Sequence, residues 1–296
     1  MKKKLWMLTL FGCALATHVA NAETGTDHFK PGKASAVPVS SKVPSLQVRS
    51  HIALIYDEQT QRPLFDKNAE MVAPIASITK LMTAMVVLDA QLPMDETVSV
   101  AEDDSGTRKR SRSRLSIGMT FSRSDLLKMA LMASENRAAL ALAQSYPGGT
   151  AAAVAAMNAK ARELGMQDTR FYDPTGLSSD NVSTAHDLAK MVAAARNYVL
   201  IQQFSTTATL SLDGVKGRAM RFSNTNPLVR SASWDIGVSK TGFINEAGRC
   251  LVMEAKINQR PVIIVLLNSW GRHTRIGDAN RVRRWVENVI AREQSA

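Results

Sequence analysis

The apolar residues of this chain change period twice, and that order limits what it can fold into. His51-Ile52-Ala53-Leu54-Ile55-Tyr56 reads as a strand, with Pro63-Leu64-Phe65 as its hairpin partner. Helical spacing then takes over. Residues 77–88 are apolar almost all round (Ile78, Leu81, Met82, Ala84, Met85, Val86, Val87), which marks a buried helix. Residues 124–143 predict a second helix with Asp125 near its start, and residues 150–164 a third ended by Gly165. Residues 184–195 predict a fourth, capped by Thr184 with Asp187 three positions on. After about residue 205 strands return, over 206–212, 235–239, 250–257 and 262–267, the last two joined by a turn at Asn258-Gln259-Arg260-Pro261. A last helix over 274–292 carries one apolar stripe, Val282, Trp285, Val286, Val289 and Ile290. Its polar face mixes Arg283 and Arg284 with Glu287 and Glu293, so it is read as a cover for the sheet; membrane-lying helices are rich in Lys and Arg there. Strands from both ends of the chain around a helical insert make an α+β fold.

The start reads as an export signal. Lys2, Lys3 and Lys4 precede a short apolar run, and Ala20-Asn21-Ala22 is a small-residue cleavage site. The run is shorter than the roughly 20 residues that span a bilayer. Cleavage after Ala22 places the mature chain in the periplasm. Leu10-Phe11-Gly12-Cys13 faintly resembles a lipoprotein acceptor, although Phe11 fits it poorly. Residues 23–47 are broken by Gly25, Pro31, Gly32, Pro38 and Pro44 and read as a flexible linker. After cleavage only Cys250 remains of the two cysteines, so no internal disulfide can form and stability must come from the core. Hydrophobic residues make up 45% of the chain, enough to build one. Cys250 sits in an apolar run and reads as a buried small hydrophobe. The formal charge of +11 falls to +8 without the three leader lysines. Part of it is the run Arg108-Lys109-Arg110-Ser111-Arg112-Ser113-Arg114, read as a solvated loop, with an anionic-polymer patch as the sharper alternative. Export argues against nucleic acid as a partner.

Ser77-Ile78-Thr79-Lys80 places a hydroxyl and an amine one helical turn apart, on the same face. A serine hydroxyl is a weak nucleophile at neutral pH and needs a base beside it. A lysine serves only if desolvation or a second cation destabilises its ammonium. A serine in the first helical turn also lies beside unbonded backbone N–H groups suited to an oxyanion. The tetrad alone is a weak motif, but this lysine interrupts an otherwise apolar helix, where an idle charge is costly. Ser134-Glu135-Asn136 follows within the second helix, and Lys240-Thr241-Gly242 stands at the end of a candidate strand.

The three motifs in this order resemble the active-site set of serine penicillin-binding proteins and β-lactamases. The runs Ala73-Pro74-Ile75-Ala76-Ser77-Ile78-Thr79-Lys80-Leu81-Met82, Met132-Ala133-Ser134-Glu135-Asn136-Arg137, Pro174-Thr175-Gly176-Leu177 and Lys240-Thr241-Gly242-Phe243 resemble the penicillin-binding protein 7 type, the peptidase S11-like D-alanyl-D-alanine endopeptidases. The similarity extends from about residue 48 to 290. It implies a DD-peptidase/β-lactamase-like fold, an α/β/α sandwich with an antiparallel sheet. The catalytic domain would be residues 48–294, with a sheet subdomain of about 48–75 plus 205–294 and a helical one of about 76–204. It also implies roles. Ser77 is acylated by the D-alanyl carbonyl, Lys80 takes its proton and Ser134 relays a proton to the leaving amine. Asn136 holds a substrate amide. Lys240 and Thr241 take a substrate carboxylate, and the N–H groups of Ser77 and Phe243, beside Gly242, form the oxyanion hole. No metal or cofactor is needed. The implied partners are cross-linked peptidoglycan peptides, with β-lactams as covalent inhibitors. A monomer is the default, and loose association with a membrane or another wall enzyme is left open.

Rival functions are weaker. Class A β-lactamases add a deacylating glutamate. Glu163, the only glutamate between Asn136 and Lys240, does not begin the Glu-x-x-Leu-Asn pattern, and Asp173 before Pro174 is a poor substitute. A DD-carboxypeptidase shares the chemistry, but many add a β-domain and an amphipathic anchor, for which no room is expected before Ala296. A non-catalytic wall-binding protein would not keep the motifs intact. His51, His186 and His273 lack metal-ligand spacing, and G-x-S-x-G is absent, which disfavours a zinc peptidase and an α/β-hydrolase.

Overall fold

The computed structural model describes residues 45–104, 113–212 and 219–295. The leader over 1–22, Cys13, most of the linker over 23–47 and positions 108–112 of the basic run lie outside the described residues. In chain order β1 (Ile52–Asp57) and β2 (Arg62–Lys67) form a hairpin. β3 (Ala73–Pro74) leads into a 3-10 turn (Ala76–Thr79) and α1 (Lys80–Asp89). β4 (Thr97–Ser99) pairs with β5 (Thr120–Ser122), followed by α2 (Arg123–Met132), α3 (Asn136–Gln144) and α4 (Gly149–Glu163). β6 (Val182–Ser183) pairs with β3 and precedes α5 (Ala185–Ala195) and α6 (Val199–Ser205). β7 (Thr209–Leu212) and β8 (Met220–Ser223) form a ribbon. β9 (Asp235–Ile244), β10 (Gly248–Ile257), β11 (Arg260–Ser269) and α7 (Thr274–Glu293) follow.

The main sheet runs β2-β1-β11-β10-β9, all antiparallel, so the first strands of the chain sit beside the last. Every residue of β1 is buried because both faces are covered, which is why it shows no polar alternation. The stripe of α7 packs on one face against Ala53, Ile55, Leu251, Met253 and Leu266. Each such buried Ile, Leu or Met side chain contributes about 2 kcal/mol. α5 packs on the other face, with α1 against it. Leu46, inside the segment read as a linker, packs into the α7 layer.

Several sequence expectations need correction. Residues 124–143 are two helices. Ser134 breaks them with φ of +59°, and Glu135 caps α3 by accepting from Arg137 N at 3.3 Å, so Ser134 and Glu135 lie between the helices and Asn136 opens α3. Lys240-Thr241-Gly242 lies inside β9, since the strand continues to Ile244 in register with Gly248. Ser77 lies in the 3-10 turn ahead of α1. Residues 199–205 form a helix the periodicity did not reveal, and 209–212 pair with β8 outside the main sheet. The β10–β11 turn narrows to Asn258 and Gln259, both at positive φ, which suits a two-residue hairpin. Thr184 caps α5 as expected by accepting from Asp187 N, but the Asp187 carboxylate turns away to Asp168 N and Thr169 Oγ1.

One buried carboxylate ties the entering chain to α7. Asp278 is fully buried and accepts from Arg49 N at 2.9 Å, Ser50 N at 2.7 Å and Ser50 Oγ at 2.6 Å. Burial works to raise its carboxyl; the donors from Arg49, Ser50 and Arg281 outweigh that and hold it below the ordinary range. Asp278→Ala leaves those donors unsatisfied and is expected to remove about 3 kcal/mol, or roughly 6–12 °C in a thermal melt. A depressed folded-state pKa gives stability that is full above the unfolded value and is lost as pH falls through the folded one. The wild-type advantage over Asp278→Ala should therefore shrink below about pH 4.

Candidate active site

The site forms where the 3-10 turn, the α2–α3 break, β9 and the loop before β6 meet. Ile75 N donates to Asn181 O at 3.1 Å, and Thr79 Oγ1 donates to Ala76 O at 2.8 Å, fixing the turn that carries Ser77. Two glycines press against that turn. A Cβ on Gly242 would lie 2.9 Å from Ile75 O and 3.1 Å from Ser77 N; one on Gly176 would lie 2.0 Å from Ala76 O. Strand and loop can approach the serine this closely only because neither residue has a side chain. Ala76 itself is held at φ of +48°, an uncommon conformation next to a candidate nucleophile.

Lys80 is buried, and its ammonium donates to Ser77 Oγ at 2.9 Å, Asn136 Oδ1 at 2.6 Å and the Thr175 carbonyl at 2.6 Å. Burial pushes its pKa down to about 7, against the opposing pull of Asp173 and Glu135. Lys240 is also buried and donates to Ser134 Oγ at 2.8 Å and Thr241 O at 2.9 Å. Burial, followed by the charges of Lys80 and Arg275, holds it well below the ordinary lysine range. Thr241 Oγ1 lies 2.7 Å from Thr225 Oγ1, and Thr225 N donates to Met132 O at 3.0 Å, tying the strand edge to the end of α2. Phe243 lies on the exposed continuation of β9, half exposed, with the Arg249 guanidinium 4.5 Å from its ring centre.

The residues named from sequence thus converge in two hydrogen-bonded groups, Ser77–Lys80–Asn136 and Ser134–Lys240, with Thr241, Gly242 and Phe243 following Lys240 along the strand. Three contributors were missed. The Thr175 carbonyl is backbone and leaves no residue-type signal. Thr225 stands in a segment without a motif. Arg275 is buried, and its Nη1 is 3.4 Å from Gly242 O. Burial, then Arg249, lowers its pKa against the opposing pull of Cys250. A signal existed for Arg275, because it falls in register with the apolar stripe of α7, where an arginine is out of place.

Other candidates lie elsewhere. Glu163 pairs with Lys160 at the surface. The Asp173 carboxylate is occupied by the loop around it. Cys250 is buried, and burial pushes its thiol up to about 11, which suits no nucleophile. His186 contacts Asp66 at 3.2 Å, away from the site. Among the described residues no helix is long and apolar enough to cross a membrane.

The sequence matches the family Peptidase_S11, described as D-alanyl-D-alanine carboxypeptidase, over residues 38–271. A D-alanyl-D-alanine endopeptidase of Pseudomonas aeruginosa is 46% identical over 284 residues, 96% of this chain and 88% of its own. One from Escherichia coli is 46% identical over 263 residues, 88% of this chain and 84% of its own. The fold resembles penicillin-binding protein D2 of Listeria monocytogenes, solved in its cefotaxime-bound form, with a TM-score of 0.72 and 30% identity over 82% of this chain and 98% of that one.

Proposed function

The chain belongs to the Peptidase_S11 family of serine D-alanyl-D-alanine peptidases, and on that footing we propose that it cuts D-alanyl cross-links in peptidoglycan through an acyl-enzyme on Ser77. The observation that carries this is the buried Lys80 ammonium 2.9 Å from Ser77 Oγ, held near neutrality by desolvation. Neutral Lys80 takes the Ser77 proton as Oγ attacks the D-alanyl carbonyl. The N–H groups of Ser77 and Phe243 receive the developing oxyanion; losing one such donor typically costs about 3 kcal/mol in the transition state. Ser134, oriented by Lys240, relays to the leaving amine the proton that Lys80 took from Ser77, giving up its own and receiving that of Lys80 as the C–N bond breaks. Asn136 orients Lys80 and a substrate amide. Lys240, Thr241 and Arg275 form the cationic and hydroxyl pocket for a carboxylate on the leaving side. Water then cleaves the Ser77 ester by the reverse proton path. A β-lactam acylates the same serine and leaves slowly, since Glu163 and Asp173 are both engaged elsewhere. The basic leader and the Ala20-Asn21-Ala22 site support cleavage after Ala22 and a periplasmic location.

A base must be neutral to accept a proton, so acylation by a chromogenic cephalosporin is expected to fall as pH drops through about 7, the Lys80 value. A stopped-flow pH profile measures this. A limb near the ordinary lysine value of about 10.4 contradicts it.

The same residues could remove a terminal D-alanine, as the family description has it. Purified cross-linked dimer and pentapeptide monomer, incubated with the mature chain and read by mass spectrometry, separate the two. An endopeptidase splits the dimer and spares the monomer; a carboxypeptidase does the reverse. Ser77→Ala should do neither.

A further inference from the structure

We propose that Asp173 is a positioning residue for Lys80: its buried carboxylate fixes the carbonyl that Lys80 donates to and sets the proton affinity of the base from a distance. The proposal rests on the assignment of Lys80 as the base that activates Ser77.

Asp173 is buried, and its two oxygens gather one loop. Oδ1 accepts from Thr175 N at 2.6 Å, Thr175 Oγ1 at 2.5 Å and Gly176 N at 2.8 Å, and Oδ2 accepts from Ser178 N at 2.8 Å. Asn181 closes the loop from the other side, accepting from Tyr172 N and Asp173 N and donating to Asp173 O and Thr79 Oγ1. The product of this bonding is one aimed atom, the Thr175 carbonyl 2.6 Å from Lys80 Nζ. The same loop presses Gly176 against Ala76 beside the nucleophile. A carboxylate committed to four donors cannot activate water, yet it stands in a dry interior, where charge acts strongly. The charged groups acting on Lys80 are Asp173 from this loop and Glu135 at the start of α3; Lys240 on β9 is in turn acted on by Lys80 and by Arg275 behind it. Of the two acids, Asp173 exerts the larger pull toward the ammonium form. It therefore opposes desolvation and keeps the base from becoming neutral at too low a pH, where it would be a weak proton acceptor.

The test is the pH profile of Ser77 acylation by a chromogenic cephalosporin, from pH 5 to 9, on the whole mature chain. Asp173→Asn removes the charge and keeps most of the shape. The acidic limb is expected to move down by about one pH unit, with a several-fold lower plateau. Thr175→Val strips one donor from Asp173, leaves its charge less dispersed, and should move the limb up by roughly a few tenths of a unit. A loop staple without electrostatic reach lowers the plateau and leaves both limbs at the wild-type pH; that result overturns the proposal. If Asp173→Asn does not fold, Thr175→Val decides alone: an upward limb supports the proposal and an unmoved one overturns it. A wild-type chain that is not acylated at all removes the parent assignment instead.

Discussion

Lys80→Met should slow acylation of Ser77 by about 10³-fold or more while leaving the chain folded. Methionine fills much of the same volume without the charge. The change strips a donor from Ser77 Oγ, Asn136 Oδ1 and Thr175 O. Each loses a hydrogen bond, but a fully desolvated ammonium disappears with it, and the two effects oppose one another in stability. Activity has no such compensation, because no other base lies within hydrogen-bond reach of Ser77 among the described contacts; Lys240 is engaged with Ser134 and Thr241 O. Stopped-flow acylation together with a thermal melt separates the two. A wild-type acylation rate in Lys80→Met would remove lysine as the base.

The second large effect is on backbone. Gly176→Ala places a Cβ 2.0 Å from Ala76 O, a backbone atom that cannot swing aside, and does so at φ of +79°. The left-handed conformation costs roughly 1–2 kcal/mol for a residue with a side chain, and overpacking adds about 1–3 kcal/mol. A loss of about 3 kcal/mol or more is expected, with acylation lost too because the displaced segment carries Ser77. Gly118→Ala is the control. It has φ of +86° but nothing within 4 Å of a built Cβ, so only the conformational part, about 1 kcal/mol, is expected. Equal melting temperatures for the two variants would show that the contact at Ala76 matters little.

What the sequence made legible follows from how each signal is written. The proposed nucleophile and base were readable because one helical turn separates them and the lysine breaks an apolar run. The sheet built from both chain ends was readable from the change of period, and the apolar stripe of α7 announced its buried face. The break at Ser134 was not readable, since neither Gly nor Pro marks it and the apolar spacing continues across it; a serine holds the left-handed conformation there. The extension of β9 through Lys240-Thr241-Gly242 was obscured because polar residues inside a buried strand look like its end. Asp173 was weighed as a water activator and set aside, and its hold on the Thr175 carbonyl depends on a loop conformation that composition does not encode. Arg275 alone among the missed residues had a legible sign, its place in the stripe of α7.

The measurement that bears most directly on the central claim is the mass of the protein after brief exposure to benzylpenicillin, followed by peptide mapping. One penicilloyl group on the peptide that contains Ser77, and none on Ser77→Ala, is the predicted result. An unmodified wild-type chain, or an adduct that persists in Ser77→Ala, would contradict the assignment of Ser77 as the nucleophile.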